Sequence, residues 1–253
     1  PTTSSAASDV YKRQTRDKKM KIDYFTLVGL AFLALALLLK LIIPLDIYLL
    51  KFFNSAMFSK FFFKYFTEIG NGLICLAIIV PILSYASKNS NLNSVKTQTL
   101  VFTCIGVGII VKLVKELTFD YALRPAYYEF SDVIFLEPVF LYSSFPSGHA
   151  ATIFSLIFVW IFLAFKNVEF RFKGLIIFSL LFFGLLVSLS RVVVAAHWLS
   201  DIFGSIALAL FMLKIIQLKF LKNLLYESES AKYFSFFLIG LSWLYLVTIG
   251  SLY

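Results

Sequence analysis

Charge is scarce in this chain. Only 15% of its 253 residues are Asp, Glu, Lys or Arg, where a soluble domain carries nearer a quarter, so an ordinary water-soluble globule is excluded. There are two histidines and two cysteines. Cys75 and Cys104 both fall in apolar runs. So few ligands exclude a zinc site, no disulfide is expected, and both cysteines read as small buried apolar residues. Acidic residues are the minority, 14 against 23 Lys and Arg, for a formal net charge of +9. A basic balance can signal nucleic acid. Here the lysines cluster at the ends of apolar runs, the topology pattern of membrane proteins, and no nucleic-acid partner is expected.

What is abundant is apolar surface: 60% of the residues are hydrophobic, 18% are aromatic, and thirty are phenylalanine. Several runs reach the about 20 residues that cross a hydrocarbon core as helix. The expected fold class is therefore all-α, a polytopic transmembrane helix bundle in the lipid bilayer. Seven apolar segments are legible: Tyr24 to Ile43, ending at Pro44; Gly70-Asn71-Gly72 to about Ala86; Thr99 to Leu117; Pro146-Ser147 to Phe165; Gly174 to Ser190; His197 to Leu218; and Tyr233 to Leu252. Between the first two, Leu45 to Phe66 mixes Phe and Leu with Lys51, Lys60 and Lys64 and reads as one amphipathic interfacial stretch.

The basic loops fix an orientation. Lys18, Lys19 and Lys21, then Lys88 and Lys96, then Lys166, Arg171 and Lys173, then Lys214, Lys219, Lys222 and Lys232 occupy alternate connections. They share one side, and the positive-inside rule makes it the cytoplasm. The long loop from Glu116 to Phe145 and the short link from Arg191 to Ala196 then both face outward. Lys51, Lys60 and Lys64 run against this rule, and contact with anionic headgroups would accommodate them.

The first residues read as foreign. Residues 4–14 resemble an in-frame translation of a sequencing adapter, so 1–14 are set aside as a non-native segment, 15–23 as a cytoplasmic N-terminus, and Met20 as a candidate start. No cleavable signal peptide is expected, because the first apolar run is long and lacks a small-residue cleavage site.

Both histidines stand in chemistry-bearing strings. On a helix, residues four apart share a face, so Asp201 is expected beneath His197. A carboxylate there fixes the imidazole tautomer and leaves the other ring nitrogen as a nucleophile. Arg191, six residues before His197, offers a planar fork suited to phosphate oxygens. Taken alone, these residues also suit an ordinary interfacial helix pair with a snorkelling arginine.

The second string is Pro146-Ser147-Gly148-His149. Proline suits a first helical turn, glycine lets a ligand approach the backbone, and the free amides of a helix N-terminus attract anions. His149 then stands where a leaving oxygen needs a proton. The third string, Arg124-Pro125, follows Lys112 and Lys115, cations that could complete a cage around a phosphate. Two histidines, arginines and a carboxylate at the rims of membrane helices point to phosphoryl transfer at a lipid surface.

Together these strings resemble the type 2 phosphatidic acid phosphatase (PAP2) superfamily, over roughly Phe66 to Leu218. Phe66-Thr67-Glu68-Ile69-Gly70-Asn71-Gly72 looks like the family's lead-in to its second helix. The resemblance implies a six-helix PAP2-like domain over 24–218, followed by a loop and an extra transmembrane helix over 219–253. It implies a metal-independent lipid phosphatase with no cofactor, acting on a membrane lipid phosphate. Undecaprenyl diphosphate, phosphatidylglycerol phosphate, phosphatidic acid and lipid A are the candidate substrates. It further implies that His197 attacks phosphorus, Asp201 orients it, and His149 handles protons. Arg124, Arg191, Ser147, Gly148 and Lys115 then hold the phosphate. Family members have a lysine, six intervening residues, then Arg-Pro; the lysine position is Leu117 here, and Lys115 is the nearest substitute. The expected location is a bacterial inner membrane, with the site on the outer face. The rival readings are a lipid phosphotransferase on the same scaffold and a non-catalytic membrane protein.

Overall fold

The computed structural model describes residues 23–88, 92–119, 121–136 and 139–248, and every regular element among them is helical. The foreign-looking segment, Met20 and the first three lysines lie outside the described residues. The helices are α1 (Tyr24–Leu41), α2 (Ile43–Ser55), α3 (Lys60–Phe66), α4 (Gly72–Lys88), α5 (Thr97–Leu117), α6 (Gly148–Ala164), α7 (Lys173–Val193), α8 (Leu199–Ile215), α9 (Lys219–Glu227) and α10 (Glu229–Thr248). The seven apolar segments correspond to α1, α4, α5, α6, α7, α8 and α10. By length and composition α1, α7 and α10 can each cross a membrane. The helical stretch Lys60–Gly70 joins α4 as a bent pair, at 62°, while α6 is apolar and shorter. The protein is a multi-pass membrane bundle.

Local chemistry sets the helix ends. Asp23 caps α1 by accepting the Phe25 and Thr26 amides at 3.1 and 3.2 Å. Asn71 caps α4 through the Leu73 amide at 3.0 Å. Within α4 the turns over Cys75–Ile79 widen into a π-helix just before Pro81. Proline supplies no amide to the preceding turn, and a widened turn absorbs that missing donor. Cys75 and Cys104 are unpaired thiols in the core.

The α1–α8 pair makes the most extensive helix contact in the bundle, and α6 packs next most closely on α8. The α1 and α8 axes run antiparallel, with an ion pair at each end: Asp23 with Lys214 at 2.7 Å, and Lys40 with Asp201 at 2.9 Å. A Cβ on Gly29 would lie 2.9 Å from the Phe211 ring, so glycine lets the helices approach there. At the Lys214 end, Asn93 caps the last turn of α6, bonding the carbonyls of Leu163, Ala164 and Lys166. The loops rich in lysine thus gather at one end of the bundle.

The region from Leu45 to Phe66 departs from the expected single interfacial stretch. It forms two helices, and α2 turns Asp46, Leu50 and Asn54 inward. Asp46 accepts the Ser200 hydroxyl at 2.5 Å, and Asn54 bonds Val193 and Ile134. The mixed composition reflects a polar face buried against α7 and α8. Lys51, which ran against the orientation rule, pairs with Asp132 at 2.8 Å and lies over the Phe130 ring. The Lys51 ammonium holds the exposed Asp132 carboxyl below its ordinary range. The last apolar helix begins at Glu229, a turn before Tyr233, its first turn tied by the pair Lys232–Glu229.

Candidate active site

Every predicted site residue lies at the end of the bundle opposite the lysine-rich loops, with one correction of detail. His197 is not on a helix. α7 ends at Val193, Ala195 adopts a left-handed φ of 55°, and α8 starts only at Leu199. The amides of Ala196 and His197 both donate to the Arg191 carbonyl, at 3.0 and 3.2 Å. This tight turn fixes the histidine relative to the arginine. Asp201 still reaches His197, Nδ1 to Oδ2 at 3.2 Å. It does so as the third residue of α8, where the same oxygen accepts the Trp198 amide at 3.0 Å. A capping carboxylate, rather than a shared helix face, makes the contact.

His197 is 2% exposed and Asp201 fully buried. With Nδ1 turned to Asp201, Nε2 is the nitrogen left for chemistry. The Ser144 hydroxyl donates to Asp201 Oδ2, and Ser205 donates to the Ser147 carbonyl at 3.0 Å. The Pro146–His149 string is thereby tied to the helix that carries Asp201.

α6 begins at Gly148 with Ser147 as its cap, so Pro146 lies before the cap rather than in the first turn. Proline ends the incoming loop instead of starting the helix. The Ser147 hydroxyl accepts the Ala150 amide at 3.5 Å, which makes it a helix cap as well as a candidate phosphate ligand. A Cβ on Gly148 would meet only Val111, at an ordinary 3.6 Å, so helix packing does not demand glycine there. His149 Nε2 lies 3.5 Å from Glu68 Oε2.

Arg191 donates from Nη1 to Thr67 Oγ1 at 2.9 Å and lies 3.5 Å from Glu68 Oε1. Its Nε is buried with no hydrogen-bond partner, a donor awaiting an acceptor. Arg124 gives Nε to the Tyr142 carbonyl at 2.9 Å, Nη1 to Ala196 at 3.0 Å and Nη2 to Ser143 at 3.5 Å. It pins the outer loop beside His197, and burial lowers its affinity for a proton from the ordinary guanidinium value. Trp198 Nε1 donates to the Leu123 carbonyl at 2.8 Å, closing the loop over the site. Lys115 is half-buried and within electrostatic reach of both His149 and His197. Lys112, a turn earlier, is exposed.

The PAP2 superfamily profile matches residues 97–224, a span that holds Arg124, Ser147, His149, Arg191, His197 and Asp201.

The chain belongs to the PAP2 superfamily.

Two solved PAP2-like folds resemble it. The crystal structure of Aquifex aeolicus LpxE superposes with a TM-score of 0.50 at 22% identity, over 68% of this chain and 93% of that one. The crystal structure of the first transmembrane PAP2 type phosphatidylglycerolphosphate phosphatase from Bacillus subtilis superposes with a TM-score of 0.57 at 19% identity, over 77% and 95%. No curated protein matches the chain. Both solved structures support the PAP2 fold.

Three participants escaped the sequence reading. Lys40 and Ser144 both contact Asp201, and Glu68 stands between His149 and Arg191. Glu68 lay inside a string already singled out. Lys40 carried only a weak signal, a lysine in the last turn of an apolar helix.

Proposed function

We propose that the chain is a lipid phosphatase that hydrolyses a phosphate monoester or diphosphate of a membrane lipid through a phosphohistidine. The observation that carries this reading is the turn from Arg191 to His197. It fixes an imidazole, oriented by a buried carboxylate, beside a guanidinium whose Nε has no partner.

In this reading His197 Nε2 attacks phosphorus as the bond from phosphorus to the leaving oxygen breaks. His149 gives that oxygen a proton, then takes one from the water that cleaves the phosphorus–nitrogen bond and releases phosphate. Arg191, Arg124, Lys115, Ser147 and the Gly148 amide hold the equatorial oxygens, and these fixed cations stabilise the growing charge without a metal.

The exposed Tyr121, Tyr127, Phe140 and Tyr142 on the loop beside Arg124 suit a membrane interface, where a lipid-borne phosphate would arrive. The basic loops at the opposite end support a site on the outer face of a bacterial inner membrane. An outer site favours carrier-lipid diphosphate and lipid A over the other candidates.

The test is phosphate release from purified undecaprenyl diphosphate, phosphatidylglycerol phosphate, phosphatidic acid and lipid A, in EDTA, beside His197→Ala. One or more lipids should turn over, vanadate should inhibit as a mimic of five-coordinate phosphorus, and His197→Ala should be inactive. A fully active His197→Ala protein, or activity restored only by added metal, would overturn the reading. Release that requires a second lipid as acceptor would reassign the chain as a phosphotransferase.

A further inference from the structure

The buried end of the α1–α8 contact has a consequence for the proposed chemistry. Lys40 Nζ lies 2.9 Å from Asp201 Oδ1, an ion pair rather than an aligned hydrogen bond. The Asp201 side chain is 0% exposed and that of Lys40 30%. The ammonium also lies over the Phe145 ring, 5.3 Å from its centroid. A lysine near the end of a membrane helix ordinarily reaches for water or headgroups. This one is bracketed by a residue beside the Pro146–His149 string and by the carboxylate partner of His197.

We propose that Lys40 is a positioning residue for the PAP2 site, holding Asp201 in place and neutralising its charge so that His197 stays an unprotonated nucleophile. The inference rests on the phosphatase reading above. Asp201 has two oxygens with divided duties. Oδ2 serves His197, Ser144 and the Trp198 amide, and Oδ1 serves Lys40. An unbalanced carboxylate beside an imidazole favours the imidazolium, which cannot attack phosphorus. A cation on the far oxygen removes much of that bias.

Among the described residues, the other charged groups facing the pair are Asp46 on α2, Lys115 on α5 and Arg124 on the outer loop. Asp46 pushes in the same sense as Asp201, and its carboxylate is engaged by Ser200. Lys115 and Arg124 oppose it and limit the effect of losing Lys40. Lys40 lies outside residues 97–224, the span matched by the family profile.

Removing the Lys40 charge strengthens the hold of Asp201 on a protonated His197. The acid limb of kcat/KM then moves to higher pH. In Lys40→Met the limb should rise by about one unit, with about a tenfold loss of rate on its acidic side. Lys40→Arg should restore both position and rate in large part. Lys40→Gln, which keeps a donor but no charge, should move the limb as Met does and serves where Met does not fold.

The measurement is phosphate release in detergent micelles across pH, with the best substrate among the four lipids above. A limb that stays in place, whether the rate is unchanged or falls equally at every pH, would overturn the proposal. So would failure of both neutral variants to fold while Arg folds, which would make the pair purely structural. His197→Ala separates the two levels. If it remains active the phosphatase reading fails; if it is dead and the Lys40→Met limb is unmoved, only the role of Lys40 fails.

Discussion

Gly70 backs directly onto His149. A Cβ built on Gly70 would lie 2.9 Å from both the Cβ and the backbone oxygen of His149, distances that real side chains do not adopt. Gly70 therefore limits where the histidine stands by closeness of backbone, beside the Glu68 contact from the same segment. Gly70→Ala should push His149 from its place and lower kcat by about tenfold to a hundredfold. Gly72→Ala, where a Cβ meets nothing within 4 Å, is the control and should leave the rate within about twofold. Equal rates for the two variants in phosphate release would show that the closeness is incidental.

Glu68 joins His149 to Arg191, with both contacts at 3.5 Å and Asn71 holding the same carboxylate at 2.9 Å. A carboxylate beside His149 favours the protonated imidazole that the leaving oxygen needs. Glu68→Gln should cut kcat about tenfold or more, and the alkaline limb of kcat should move to lower pH. A drop in KM with kcat preserved would instead mark Glu68 as a stand-in for the substrate phosphate.

The choice between the two lysines of α5 can be read from their surroundings. Lys115 is half-buried and electrostatically coupled to Arg124, Arg191 and Asp201, whereas Lys112 is exposed. Lys115→Ala should lose about a hundredfold in kcat/KM, in the range of a lost transition-state cation or donor. Lys112→Ala should stay within about threefold. Comparable losses in the same assay would mean that the cage is drawn wrongly.

Asn54 is a structural counterpart at the same end. Its amide nitrogen donates to the Val193 and Ile134 carbonyls at 2.7 and 2.9 Å, and its oxygen accepts the Ile134 amide at 2.9 Å. Asn54→Ala leaves three backbone groups unpaired, two of them carbonyls, and should destabilise the fold by about 3 kcal/mol. Val193 begins the turn that holds His197, so the rate should fall as well. Unfolding in detergent micelles reads the first effect, and a loss under about 1 kcal/mol would show that water replaces the side chain.

The span pattern was legible because hydropathy and charge asymmetry are local properties. Each apolar run from Tyr24 onward became a helix, and the basic loops gathered at one end. The two histidine strings were legible because their spacing is short-range and specific. The helical argument for His197 and Asp201 reached the right contact by the wrong geometry, since a pair four apart meets equally well across a capped helix start. Ser147 was assigned to phosphate, and its hydroxyl also caps α6. The stretch from Leu45 to Phe66 misled because charge and aromatic content look alike on an interfacial helix and on one with a buried polar face.

Composition, charge distribution and motif spacing by themselves determined a membrane bundle, the basic loops at one end, and the strings that resemble the PAP2 pattern. Tertiary structure alone decided that Lys40 faces Asp201, that Ser144 joins it, that Glu68 bridges His149 and Arg191, and that Lys115 rather than Lys112 turns inward. Glu68 meets partners 81 and 123 residues away in the chain. No local preference encodes such a meeting; it follows only from which helices pack together and how they are rotated about their axes.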